Sequence, residues 1–226
     1  RMKRIFIICS FLAISGMFFC GCSGKSALTP KQAFLCGKYH KAYKEFKKAP
    51  AANNTEDRNF VLKNDYIASA AMMCGDFETA EESAKKAVKV AKSNLGETAG
   101  QASLAIRESV KVFKGETYEQ AMAAFYAGLA AYYKKEYESA VVYLKNALLF
   151  DKGSEEGERK DFTAAYYLLA KCYKKLGKLD EFKITLDKIA KSKPDAASML
   201  KENKKDNVLI FVELGQIGHK KPDQYV

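Results

Sequence analysis

Four stretches of the chain repeat one pattern of apolar and polar positions. They are CGKYHKAYKEFKKA from Cys36, CGDFETAEESAKKA from Cys74, KKEYESAVVYLKNA from Lys134 and LGKLDEFKITLDKI from Leu176. Each opens on an aromatic residue or leucine: Tyr39, Phe77, Tyr137 and Leu179. Three residues on stands Ala42, Ala80, Ala140 or Phe182, and four further stands Phe46, Ala84, Leu144 or Leu186. Three further again come Ala49, Ala87, Ala147 and Ile189. Spacings of 3, 4 and 3 lay one apolar stripe along a helix. Two residues before each stripe stand Gly37, Gly75 and Gly177, where a tight turn favours a residue without a side chain. The remaining stretch places Lys135 in that slot, followed by Glu136.

A partner helix is predicted upstream of each turn. NDYIASAAMMCG, FYAGLAAYYKK and YYLLAKCYKKLG supply three, with Ala68, Gly128 and Ala170 as the small residues that let a second helix approach. These helix-turn-helix units resemble the tetratricopeptide repeat (TPR), whose period is about 34 residues. The best units are 61–94, 121–154 and 163–196, the last closing on Pro194. Segment 23–56 matches only in its second half, because Pro30 leaves little room for a full first helix. An unrelated helical bundle is the alternative that amphipathic, alanine-rich helices also permit.

The expected fold is all-α, with TPR-like antiparallel helix pairs forming a short solenoid and a short C-terminal β segment. The divisions are a signal at 1–21, an N-terminal helical segment with a partial repeat at 22–60, a repeat domain at 61–196 and an extension at 197–226. Within the repeat domain, Ala99 to Phe113 reads as helical, placing an inserted helix at 97–114. KGSEEGERKD at 152–161 reads as an exposed loop. NVLIFVELG, β-branched and bounded by glycine, predicts a strand at 207–213.

The N-terminus changes where such a body would work. RMKR precedes IFIICSFLAISGMFFCG, a charged n-region before an apolar h-region. The run lies at the short edge of the roughly 20 residues that a membrane helix needs. Its end resembles a bacterial lipoprotein signal, in which a small residue precedes a lipidated cysteine, and Gly21-Cys22 fits that step. The resemblance covers residues 2–23 and implies lipidation (palmitate among the acyl chains) at Cys22, cleavage before it, and a membrane anchor. An ordinary cleaved signal and an uncleaved anchor are the alternatives. This signal, KGETYE before a repeat, YYKKEYESAVVYLKNA and NVLIFVELGQIGHKK together resemble a little-characterised family of bacterial TPR-like lipoproteins. Gly115-Glu116, Tyr118-Glu119 and Asn207 to Gly215 carry that match, over roughly 110–220. The family implies architecture and location only; Ser23 after Cys22, where an aspartate would retain a lipoprotein in the inner membrane, gives the expectation of the outer membrane facing the periplasm.

Charge and chemistry narrow the function. The full chain carries +11, near +8 once Arg1, Lys3 and Arg4 leave with the signal. Such a body is drawn to anionic partners, and export argues against nucleic acid. Its two histidines, His40 and His219, lie 179 residues apart, and no nucleophile–base–acid set or metal-ligand spacing stands out. Cys20-Gly21-Cys22 is C-x-C rather than C-x-x-C, and Cys36, Cys74 and Cys172 read as small buried apolar residues. Glu155-Glu156 lies in the charged loop, and Gly215 to Gly218 reads as a turn. No catalysis, cofactor or metal is expected.

A binding surface is expected instead. First helices line the inner face of such a solenoid. The inward positions are Met122, Phe125, Leu129, Tyr132 and Tyr133 in one unit, and Ala164, Tyr167, Lys171, Lys174 and Lys175 in the next. An aromatic patch beside a lysine patch suits an extended peptide with an acidic residue or a C-terminal carboxylate, so the expected partner is an envelope protein or an acidic peptide segment. The expected function is therefore a membrane-anchored scaffold or adaptor. A self-associating structural lipoprotein, a cell-wall enzyme and a binder of anionic glycan or lipid are the rivals.

Overall fold

The computed structural model describes residues 28–49, 52–57, 59–98, 115–151 and 162–201. Helices organise all of them: α1 (Pro30–Leu35), α2 (Tyr39–Phe46), α3 (Phe60–Met73), α4 (Phe77–Thr98), α5 (Thr117–Tyr133), α6 (Tyr137–Asp151), α7 (Thr163–Lys175), α8 (Leu179–Ser192) and α9 (Pro194–Lys201). α1 is six residues long and starts on Pro30, whose missing N–H costs nothing in the first turn. Thr29 caps it: the Gln32 N–H donates to Thr29 Oγ1 at 3.2 Å, and the Thr29 N–H donates to Gln32 Oε1 at 3.0 Å.

Four tight turns join the helices of each pair, and all use one device. Gly37, Gly75, Lys135 and Gly177 have φ of 72°, 75°, 67° and 70°. At each turn the next residue's N–H reaches back to a carbonyl five positions earlier: Lys38 to Ala33, Asp76 to Ala71, Glu136 to Ala131 and Lys178 to Tyr173. These are Schellman ends, which satisfy carbonyls that a helix terminus leaves over. Lys135 adopts the left-handed conformation despite its side chain, at a cost of roughly 1–2 kcal/mol.

The predicted stripes form the core. Ala42, Ala80, Ala140, Ala84, Leu144, Ala87, Ala147 and Ile189 are fully buried, and Phe46 and Leu186 nearly so. The opening position departs from this throughout, since Tyr39, Phe77 and Tyr137 are half-buried and Leu179 is exposed, and Ala49 and Phe182 further along their stripes are also half-buried. Gly128 sits where α5 crosses α6. A Cβ there would lie 2.7 Å from Leu144 Cγ, so the close approach needs glycine. Each helix packs on the next in sequence, and first helices also pack on one another, α3 along α5 extensively and α5 on α7 far less. That arrangement is a short solenoid of antiparallel pairs.

The chain after Pro194 corrects the expected fold. α9 follows the last pair directly and buries Ala197 and Leu200 against Ala170, Leu186 and Ile189. Proline serves as a helix start here rather than as the close of a unit. The expected β segment is therefore dropped from the fold: among the described residues all regular structure is helical and no strand occurs, and residues 207–213 lie outside them. α4 runs to Thr98, and the rest of the predicted inserted helix, 99–114, lies outside the described residues, as does loop 152–161. Cys36 is also corrected. It caps α1 in an exposed position, and Cys74 is only half-buried, so burial holds for Cys172 alone.

Candidate functional site

The ten predicted inward positions divide by depth, with Ala164 half-buried. Phe125 and Leu129, 4% and 7% exposed, belong to the core. Phe162, just before α7, meets the Phe125 ring at 5.1 Å and closes it off. Met122, Tyr132, Tyr167 and Lys171 are half-buried, while Tyr133, Lys174 and Lys175 are exposed. The aromatic patch is thus narrower than a face made of all these side chains. Its accessible part is Tyr132, Tyr133 and Tyr167, beside three lysines on the last two turns of α7.

The tyrosines are held by rings and by burial. Tyr133 stacks on Phe77 at 4.8 Å with the planes 4° apart, and Tyr132 meets Tyr137 edge-on at 5.5 Å. Burial pushes the Tyr132 hydroxyl up to about 12, helped by neighbouring Cys172, Tyr137, Tyr133 and Tyr167. It therefore stays a neutral donor across the physiological range. Lys171 Nζ lies 5.7 Å above the Tyr167 ring, and Lys174 Nζ lies 5.8 Å above Phe182. Burial lowers the Lys171 pKa, and the like charges of Lys175 and Lys174 lower it further. Among the described residues, neither Lys171 nor Lys175 meets a carboxylate at ion-pair distance. A half-buried ammonium repelled by its neighbours is stabilised by any anion that reaches it.

Two groups outside these positions escaped the sequence reading. Lys134, at the end of α5, donates to Glu78 at 2.7 Å, Glu81 at 2.8 Å and Glu136 at 3.1 Å. Burial acts to raise the Glu81 pKa, but hydrogen bonds from Lys134 and Lys85 outweigh it and the net shift is downward. No local signal announces this cluster, because Glu78 and Glu81 lie more than 50 residues upstream of Lys134. Asp65 stands ten residues before Gly75, the offset of Phe125 before Lys135 and of Tyr167 before Gly177. That equivalence marks it as an inward position of α3. It is 7% exposed, Oδ1 has no hydrogen-bond partner among the described residues, and burial and the nearby Glu119 raise its pKa well above the ordinary aspartate value.

Among the described residues, no group of three or more His, Cys, Asp or Glu side chains could hold a metal ion. His40 is exposed on α2, and His219 and Cys22 lie outside the described residues. Among the described residues no helix is long and apolar enough to cross a membrane.

Comparison with known proteins matches this architecture. The tetratricopeptide repeat family matches residues 131–203. The crystal structure of MamA is similar with a TM-score of 0.53 and 20% identity, over 77% of this chain and 84% of that one. BtubC (BKLC) from P. vanneervenii gives 0.56 and 16% identity, over 82% of this chain and 68% of that one. The apo form of RapI gives 0.51 and 17% identity, over 76% of this chain but only 57% of that one. At these identities the likeness is one of fold. No curated protein matches significantly by sequence. None of the three structures is named as an outer-membrane or lipid-anchored protein, so the outer-membrane, periplasm-facing location expected from the N-terminus is corrected and set aside. That expectation rested on residues 1–22, and the likeness rests on the helical body, which carries no address. The chain is a TPR-like helical-repeat protein.

Proposed function

We propose that the protein is a non-catalytic scaffold that holds an extended acidic segment of a partner protein on its inner face. The lysine row of α7 carries this reading. Lys171 and Lys175 have no carboxylate partner among the described residues, and Lys171 is half-buried beside two like charges. Tyr132 and Tyr167 lie alongside and offer apolar faces and a hydroxyl donor for the backbone or side chains of such a segment. A partner carboxylate would meet the ammoniums in a partly desolvated setting, where a charged hydrogen bond is worth about 1.5–3 kcal/mol.

The test is crosslinking in cells, with proteomic identification, of wild type against a Lys171→Glu, Lys174→Glu, Lys175→Glu variant whose helicity is unchanged by circular dichroism. A partner captured by wild type and lost from the variant supports the groove. A partner captured equally by both moves the site elsewhere, and recovery of the chain alone from both favours self-association. Cys22 enters the proposal only as an acylation site. Intact-mass measurement of the chain purified from its native cells, with and without Cys22→Ser, would show an acyl mass increment that the variant loses.

A further inference from the structure

A cleft of about 500 Å³ opens between α6, α7 and α8. Its floor is α7, through Tyr166, Leu169 and Tyr173. At 100° per residue these positions lie roughly 130° around the helix from Tyr167, Lys171 and Lys174, so the cleft faces away from the lysine row. One wall is α6, with Lys145, Asn146 and Leu149, and the other is α8, with Glu181, Ile184 and Lys188.

Three features give the cleft a chemistry. Lys145 Nζ reaches over the Tyr173 ring at 6.0 Å, and Lys188 Nζ reaches over Tyr166 at 5.9 Å, so both walls lean a cation over the floor. Among the described residues neither lysine meets a carboxylate at ion-pair distance, even though Glu181 lines the same cleft. The amide nitrogen of Asn146 is buried and finds no acceptor among the described residues, an arrangement that costs about 1–3 kcal/mol unless something supplies one. Leu149 and Ile184, 50% and 58% exposed, leave apolar surface beside these donors. Two cations and an orphaned donor call for an oxygen acceptor with negative charge, and the two aliphatic side chains call for an apolar neighbour.

We propose that this cleft is a second binding site, which takes a short extended segment of a partner protein with a carboxylate side chain beside an apolar one. The carboxylate would lie between Lys145 and Lys188 and accept from the Asn146 amide, while the apolar side chain would cover Leu149 and Ile184. The size agrees. From Glu181 to Lys188 the α8 wall is about 10 Å long at 1.5 Å per residue. An extended chain rising about 3.3 Å per residue places three residues in that length. The site shares no side chain with the inner-face proposal and stands or falls apart from it.

The test titrates the full chain with two short, end-blocked peptides, one alternating leucine with glutamate and the other leucine with glutamine. Affinity is read by calorimetry and place by the side-chain amide resonance of Asn146. The glutamate peptide is expected to bind and shift that resonance, and the glutamine peptide to bind about tenfold more weakly, the loss of one charged contact. A Lys145→Gln, Lys188→Gln variant is expected to lose about tenfold as well. Both lysines are exposed, so this variant should fold. A Lys174→Gln, Lys175→Gln variant should bind as wild type does. Equal affinity for the two peptides, an Asn146 resonance that stays put at saturation, no binding up to millimolar peptide, or loss of binding in the Lys174/Lys175 variant would each overturn the proposal.

Discussion

Two joints of the solenoid, α3–α4 against α5–α6 and α5–α6 against α7–α8, are built differently. Where α3–α4 meets α5–α6, Lys134 gathers Glu78, Glu81 and Glu136, Tyr133 stacks on Phe77, and α3 lies along α5. Where α5–α6 meets α7–α8, α5 barely touches α7 and a cleft remains on one side. Lys145, Lys171, Lys175 and Lys188 meet no carboxylate there among the described residues. The first joint spends its charges internally. The second leaves cations on both faces of α7. In a repeat protein whose stability is close to a sum of units and interfaces, such a difference separates a structural joint from one available to ligands.

Removing Lys134 breaks the comparison most severely. Lys134→Ala leaves Glu81 buried without its closest cation. The cost should be about 2 kcal/mol, below that of a fully isolated buried charge, because Lys85 still reaches Glu81 at 3.3 Å. For a chain of this size that corresponds to a fall of roughly 4–8 °C in Tm, measured by thermal denaturation. The exposed partners Glu78 and Glu136 should matter less, each within about 1 kcal/mol, because water screens them.

Asp65 sharpens the picture of the first joint. Its folded-state pKa is raised, so the folded state holds its proton more tightly than the unfolded state does. Its effect on stability is absent below the unfolded pKa and becomes increasingly unfavourable as pH rises toward the raised folded value. Asp65→Asn should therefore match wild type near pH 4 and exceed it at pH 7.5 by about 1 kcal/mol, the scale of an unsatisfied buried group. Urea denaturation across that range reads the difference. A gap that narrows as pH rises would mean that Asp65 is ionised and compensated.

Smaller effects follow at the turn and on the lysine row. Lys135→Gly should stabilise by about 0.5–1 kcal/mol in urea denaturation, because φ of 67° suits glycine. The more flexible unfolded chain offsets part of the gain. Reversing Lys174 and Lys175 to glutamate should change stability by no more than about 0.5 kcal/mol while abolishing capture of the partner, since both side chains are exposed.

Much of the fold could be read from the chain because its signals are local. The stripe spacing, the turn glycines and the small residue at Gly128 all act within two helices and one turn, and the structure places them where that physics requires. What could not be read depends on contacts between units. Phe125 and Leu129 have the periodicity of an inner face, yet Phe162 from the next unit seals Phe125. Lys134 looks like any lysine at a helix end until stacking brings Glu78 and Glu81 to it. Pro194 was ambiguous for a different reason: proline ends one helix and begins the next equally well. Only the burial of Ala197 and Leu200 settles it. Asp65 was the nearest miss, since its offset from Gly75 repeats that of Phe125 from Lys135 and of Tyr167 from Gly177.

Hydrogen exchange on the folded chain, resolved by helix, tests the contrast between the joints most directly. Amides of α3 and α5 should exchange only near the global unfolding limit. Those of α7 and α8 should be at least about tenfold less protected, as expected of elements drawn from the low-stability end. Lys134→Ala should bring the first joint toward the second. Equal protection of α5 and α7 in the wild-type chain would contradict the division into a closed structural joint and an open binding one.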